Sequence, residues 1–341
     1  MRKGQNPQKN NQKIEIDSVH QVVIPVHIPN EEGYFADGLD ILKCCLTSLL
    51  KTVHDKTFIT IVNNGSCKQV SSYLDDLFAH GHIDELIHTA NIGKINSVIK
   101  GLKGHSFELV TIADADVLFL SGWQKATYDV FNAFPKVGVV GLVPQFKLYA
   151  DLSSNVLFDF FWSKKMAFRA VKDPEAMRNF YQSIGWKSDY NQDYLKVHLT
   201  LSTAQGMEAV VGSGHFVATY RGDVLNQSPS EYYSYKMGSA LRHYFDAPVL
   251  KSGGYRLTTD MNFAYHMGNV LESWMHDTLK RLDNFQGDIP SFQFKHLKNN
   301  RLSDFIKNHL FRKLLEYKPF MNWFIKFKGL PKTMCKTPWH E

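Results

Sequence analysis

The sequence predicts an α/β fold built on a doubly wound, mostly parallel sheet. Three observations carry this. Short apolar runs of strand length alternate with segments of helical periodicity from residue 20 to about residue 120. The runs close on turn signals rather than continuing into helices. One of them, "FELVTIADADVLFLSGW" (Phe107 to Trp123), sets two carboxylates two residues apart directly behind an apolar strand.

The first strand is "HQVVIPVHIP", residues 20–29, which Pro25 and Pro29 end or keep at an edge. Residues 39–53 are helical, with Leu39, Leu42, Cys45, Leu46, Leu49, Leu50 and Val53 at helical spacing. "FITIV", 58–62, is the second strand, and "NNGS" turns the chain. "VSSYLDDLFAHG" is a helix stopped by Gly81. A short strand, "ELIHTA", leads into the helix "NIGKINSVIKGLKG". In the fourth strand Leu109, Val110, Ile112 and Ala113 surround a single Thr111. Strands alternating with helices make the sheet parallel.

That architecture gives the two acids a reason. Open α/β sheets bind ligands outside the carboxyl ends of their strands, and Asp114 and Asp116 stand at such an end. Residues two apart on a strand can face the same way. Two carboxylates there suit a hard cation, Mg²⁺ or Mn²⁺, shared with substrate phosphates. A pair of solvated loop acids would look the same in sequence, so position behind a buried strand is what raises the reading.

Composition bounds the rest. Of 341 residues, 44% are hydrophobic and 21% charged, which allows a sizeable core and excludes global disorder. No apolar run is long enough for a transmembrane helix. The polar start, "MRKGQNPQKNNQK", lacks the apolar centre of a signal peptide and reads as a flexible tail over residues 1–18. Cys44, Cys45, Cys67 and Cys335 form no CxxC, which fits a reducing, cytoplasmic compartment. The net charge of +6 is uneven. Residues 295–336 hold eleven Lys/Arg against two acids, a surplus of nine, which leaves about −3 for the remainder.

Four stretches, in order, resemble the nucleotide-sugar glycosyltransferases of the GT-A fold, in particular the inverting, family-2-like enzymes. "VVIPVHIPNEE" is similar to the opening "IIPVYNEE" strand, and "IVNNGS" to the "VDDGS" turn that meets the nucleobase. "NIGKINSVIKGLKG" is similar to the "N-x-G-K" helix, and "IADADVLF" to the DxD strand. The resemblance covers about residues 20–120. It implies a GT-A-type domain over residues 19–279, with a nucleotide and metal half (19–120) and an acceptor and catalytic half (121–279). It also implies nucleotide contacts from Pro25, His27, Asn63, Asn91, Gly93, Lys94, Asp114 and Ala115, with a UDP-sugar favoured. Asn63 stands where the family usually has Asp, and Ile99 where a second Asn is common.

Beyond residue 120 the likeness is local. The aromatic-rich region 144–210 has no counterpart, and most of its rings are expected in the core. "GSGHF" resembles the Gly-rich segment beneath the donor sugar, which implies Gly212, Gly214 and His215 there. The family places an acidic general base at the start of a helix. Glu231 fits that role with Ser230 as N-cap, and Asp260 competes. "GGYRL" fits the following turn, and His266 the third metal ligand beside Asp114 and Asp116. A core histidine and a helix-capping acid are the plain structural readings of His266 and Glu231.

Residues 280–341 lie outside the resemblance as a basic amphipathic helical extension. "DFIKNHLFRKLLEYK" reads as a helix packed on the domain with a solvated basic face. "PFMNWFIKFK" spaces Phe320, Trp323, Phe324 and Phe327 as an aromatic stripe suited to an anionic membrane surface. The expected partners are therefore a nucleotide diphospho-sugar, a saccharide or lipid-linked acceptor, and an anionic membrane surface met through residues 303–328. That would place the protein peripherally on the inner face of a membrane. No nucleic-acid partner is expected. A sugar nucleotidyltransferase is disfavoured because "PVHIPNEEGYF" lacks a Gly-rich basic loop after the first strand. A catalytically inactive sugar- or partner-binding module at a membrane is the other alternative.

Overall fold

The computed structural model describes residues 17–229, 231–235, 241–289, 291–292 and 294–334. Most of the expected tail, Ser230 and Cys335 lie outside them. The strands are β1 (His20–Val26), β2 (Thr57–Asn64), β3 (Glu85–Thr89), β4 (Leu109–Ala113), β5 (Val117–Phe119) and β6 (Val137–Gly141). They continue as β7 (Met166–Ala170), β8 (Val197–Ser202), β9 (Glu208–Val211), β10 (Val217–Arg221), β11 (Tyr255–Thr259) and β12 (Ala264–His266). Ten form one sheet in the order β3-β2-β1-β4-β10-β6-β11-β9-β8-β7, and β5 pairs with β12 in a second. In the large sheet β1, β2, β3, β4, β6, β8 and β11 run one way, and β7, β9 and β10 the other. The sheet is therefore mostly parallel in direction, with β10 inserted antiparallel between β4 and β6.

Helices α1 (Gly38–Thr52), α2 (Lys68–Ala79) and α3 (Lys94–Leu102) make the first crossovers. Alternation along β1 sends its side chains to two cores. Val22 and Ile24 pack with Leu42, Leu46 and Leu49 of α1, while Val23 packs with Ile95 and Val98 of α3. Both faces are covered, which is why the central strands read as unbroken apolar runs. The stretch from Phe107 to Trp123 is not one strand. β4 stops at Ala113, Asp114 to Asp116 turn, and β5 leaves to join β12. The two acids therefore stand at the fork between two sheets.

The later helices are α4 (Trp123–Ala133), α5 (Ser154–Asp159), α6 (Pro174–Ser183), α7 (Gly222–Leu225), α8 (Ala247–Lys251) and α9 (Ser273–Arg281). The C-terminal extension carries α10 (Arg301–Phe305), a π-helical stretch (Ile306–Phe311), α11 (Arg312–Glu316) and α12 (Lys318–Phe327). It shares the core: Phe311, Leu315, Met321, Phe324 and Ile325 are buried with β-strand residues such as Leu199 and Leu257.

The expected aromatic stripe of α12 is divided. Phe324 is fully buried, while Trp323 and Phe327 stack on each other at 5.3 Å and stay near half exposed. Lys328, which the sequence offered as part of the basic face, is buried and donates from Nζ to the carbonyls of Phe160 (2.7 Å) and Ser163 (3.0 Å). Burial pulls its amine down to about 8. The folded amine thus loses its proton near pH 8, whereas the unfolded one holds it to its ordinary, higher value. Stability carried by this site should rise with pH across that window. Lys328→Glu would put a carboxylate against two carbonyl oxygens. It should cost roughly 3 kcal/mol, read as a fall in Tm, with Lys328→Met markedly milder. Equal melting of the two variants would show that the amine is not held there.

Candidate functional site

A cavity of about 520 Å³ opens behind the carboxyl ends of β1, β2 and β4. Pro25, His27, Asn91, Lys94, Asp114, Ala115 and Asp116 line it, joined by Asn64, Tyr34, Phe35, Gly268 and Asn269. The fold thus gathers most of the residues expected at the nucleotide. Its polar floor is tied together. His27 donates from Nδ1 to the Asn64 carbonyl at 2.8 Å, so its Nε2 lone pair accepts from Asn91 Nδ2 at 3.1 Å. Asn64 Oδ1 accepts from the Ile92 amide at 2.7 Å, and Asn91 Oδ1 from the Gly93 amide at 3.2 Å. Gly65 makes this approach feasible. Its φ is +73°, and a Cβ there would sit 2.7 Å from the Asn91 nitrogen.

Asn63 is placed differently from its expected role. β2 runs on through Asn64, so the two neighbours face opposite ways. Asn63 lies beneath the cavity, its amide occupied by Ser71, His88 and the Ser66 amide, and Asn64 lines the cavity instead. Gly93 caps the start of α3 with a φ of 84° and is buried between Asn91 and Lys94.

The acids differ in environment. Asp114 is ion-paired with Lys94. Its amide donates to the Phe216 carbonyl at 2.8 Å, which pins the turn to the start of β10. Asp116 faces His266, with Oδ2 3.5 Å from Nε2, because β5 and β12 pair Val117 with His266. Burial pushes the Asp116 carboxyl above the usual carboxylate range; His266 pulls it down and Asp114 pushes it up.

Ser183 settles the histidine tautomer. Its hydroxyl donates to the Phe180 carbonyl at 2.7 Å and so accepts from His266 Nδ1 at 3.1 Å. A neutral His266 therefore presents the Nε2 lone pair to Asp116. The other oxygen, Asp116 Oδ1, is out of reach of solvent and has no hydrogen-bond partner. A carboxylate with an orphaned oxygen facing an imidazole lone pair is a donor set that fits a divalent cation. Among the described residues no three His, Cys, Asp or Glu side chains form a closed cage. Asp114, turned to Lys94, is the third expected ligand.

Gly214 and His215 lie on the chain that leads into β10, while Gly212, whose amide donates to the Arg256 carbonyl at 2.8 Å, sits beside the start of β11, away from the edge that carries the acids. Val217 of β10 is in register with Ala113 of β4, which brings His215 level with the acidic turn. Gly212 has φ +101°, and a Cβ would lie 2.2 Å from the Leu148 carbonyl oxygen, so its close approach is to protein rather than to the cavity. His215 Nδ1 is 2.8 Å from Asp246, a carboxylate wholly buried with Arg256 at 3.2 Å. The sequence reading missed Asp246; an acid inside the apolar run "YFDAPVL" was the available signal.

Glu231 does not begin a helix. Asn96 of α3 bonds both the amide (2.9 Å) and the carbonyl (2.8 Å) of Tyr233, the backbone groups that a helical turn would use, and Glu231 to Tyr235 run irregular. Glu231 is exposed beside α3, whose first residue is Lys94. Asp260, at the end of β11, is ion-paired with Lys172.

Residues 22–188 match the family model described as glycosyl transferase family 2. Among solved structures the chain resembles S. aureus TarS 1–349, at 15% identity and a TM-score of 0.41 over 76% of this chain and 69% of that one. It also resembles the mannosyltransferase PcManGT from Pyrobaculum calidifontis in complex with GDP-Man and Mn²⁺. That likeness is at 15% identity and a TM-score of 0.43, over 94% of this chain and 77% of the other. A comparison with curated proteins gives no match.

Proposed function

The chain carries a glycosyl transferase family 2 domain over residues 22–188, and on that premise we propose that it moves a sugar from a nucleotide diphospho-sugar to a hydroxyl acceptor, with inversion and with a divalent cation in the Asp116–His266 site. The observation that carries the proposal is Asp116, which lines the cavity with Lys94, Asn91 and Asn64, and whose carboxylate has Oδ2 facing His266 and Oδ1 without a partner. Mn²⁺ or Mg²⁺ held by Asp116 and His266, with Asp114 near, supplies positive charge against a diphosphate leaving group.

The chain's own residues do the rest. His27, Asn64 and Asn91 form a fixed polar floor for the nucleoside, and the exposed ring of Tyr34 at the mouth offers a face for the base. Lys94 brings a second positive charge to the phosphate side, and Asp114 holds its ammonium in place. Ala115, between the two acids, keeps that wall low. Glu231 is the proton acceptor for the attacking hydroxyl. A UDP-sugar is the favoured donor, and a saccharide or lipid-linked saccharide the acceptor.

A thermal-shift series with UDP, GDP and their sugar conjugates, each with and without Mn²⁺, tests this. A fitting nucleotide at a hundredfold excess over its Kd should stabilise the fold by about 2.7 kcal/mol, and only when Mn²⁺ is present. No Mn²⁺-dependent shift with any nucleotide diphosphate would remove the proposal.

A further inference from the structure

The extension from Arg301 to Tyr317 exposes more apolar surface than a solvated helix needs. Leu302 is 69% exposed, Phe305 50%, Leu310 52%, Leu314 43% and Tyr317 61%. At ordinary helical spacing these positions do not fall on one line, because the step from 305 to 310 is one residue too long. The π-helical stretch Ile306–Phe311 corrects it. Such a stretch takes up one extra residue, so Leu310, Leu314 and Tyr317 rejoin the stripe begun by Leu302 and Phe305. Phe311 and Leu315 are buried on the other side, so the stripe faces outward by construction.

A second exposed patch is joined to the same helix through its buried Phe311. Phe161 lies 5.8 Å from the Phe311 ring and 5.9 and 6.0 Å from those of Trp323 and Phe327. Trp162, 78% exposed, packs edge-on against Phe327.

We infer that this surface, with the helix from Arg301 to Tyr317 as its principal element, lies on an anionic lipid bilayer. Charge selects the occupant. Arg301, Lys313, Lys318 and Lys326 are exposed around the apolar residues, as is Arg312 in its pair with Glu316, in a segment where basic side chains outnumber acidic ones even with Lys328 buried. Two copies of such a segment would repel, whereas an anionic bilayer attracts each basic side chain and accepts the apolar ones between headgroups. Trp and Tyr at the margins suit the interface. Among the described residues no helix is long and apolar enough to cross a membrane, so the contact is in the plane of the surface. This reassigns the two helices: α12, half buried, is the lesser contributor, and the preceding helix, expected from sequence to be a packing element, is the greater. The inference does not rest on the glycosyl-transfer reading.

The test is co-sedimentation of the full chain with vesicles of phosphatidylcholine and phosphatidylglycerol, and with phosphatidylcholine alone. Wild type should sediment with the anionic vesicles at low salt, bind the neutral ones weakly, and be released by 0.5 M NaCl, a salt level at which screening falls to roughly 4 Å. The triple variant Phe305→Gln, Leu310→Gln, Leu314→Gln should bind at least about tenfold less. These side chains are exposed, so its Tm should match wild type, which separates lost docking from lost fold. Replacing Trp323 and Phe327 by Ser should have the smaller effect. Failure of wild type to sediment at low salt would overturn the inference. So would equal binding to neutral vesicles, or wild type behaving as a dimer whose dissociation follows the triple substitution.

Discussion

Asp116→Ala is expected to abolish Mn²⁺-dependent binding of a nucleotide diphosphate while leaving the fold intact. Changing a group that merely orients a metal ligand costs about 10–100-fold in affinity, so loss of the ligand itself should cost at least about 100-fold by calorimetry. The fold should tolerate the change. Asp116 is a carboxylate that burial already disfavours, with one oxygen unpartnered and Asp114 beside it. Its raised carboxyl means that the ionised form is less favourable in the folded state than in the unfolded one, above the unfolded value. Removing it should therefore leave the metal-free Tm unchanged or slightly higher. His266→Ala should weaken the same Mn²⁺ dependence, since it removes the facing lone pair. Unchanged metal-dependent affinity in Asp116→Ala, with Tm preserved, would mean that no cation sits between these two side chains.

The site divides into what the sequence made legible and what it did not, and the division follows sequence distance and helical period. Strands β1, β2 and β4 are apolar runs closed by turn signals, so the edge carrying Pro25, Asn64 and Asp114 could be placed by pattern alone. Choosing between Asn63 and Asn64 needed the register of β2 beyond its apolar run, because adjacent strand residues face opposite ways. The Asp116–His266 approach depends on β5 pairing with β12, Val117 with His266, far apart in sequence, and no local signal encodes that pairing. Ser183, which fixes the His266 tautomer, comes from α6 by the same long-range packing. The outward stripe of the C-terminal helix was hidden for a different reason. A 3.6-residue period cannot align Phe305 with Leu310, and the extra residue of the π-helical stretch is not visible in the sequence pattern.

Glu231→Gln is expected to lower turnover by about 10²–10⁴-fold, the usual cost of losing a general base, with nucleotide affinity barely changed. The substitution keeps the shape of the side chain and removes its proton affinity. Glu231 is exposed, outside the cavity lining, on the segment that Asn96 of α3 clamps at Tyr233. Two other groups compete for the role. Asp260 is held by Lys172, so its carboxylate is already neutralised by a partner. His215 is the stronger competitor: it lies level with the acidic turn, and its Nδ1 stands 2.8 Å from the buried Asp246 carboxylate, which can orient the ring. The three can be told apart by comparing Glu231→Gln, Asp260→Asn and His215→Gln under saturating donor. If Glu231 is the base, its variant alone loses kcat while Mn²⁺-dependent donor binding stays intact in all three. Full turnover in Glu231→Gln with a collapsed rate in His215→Gln would transfer the role to the histidine. Asp246→Asn should then lower the same kcat while donor binding stays intact, since Asp246 would act only by orienting the ring.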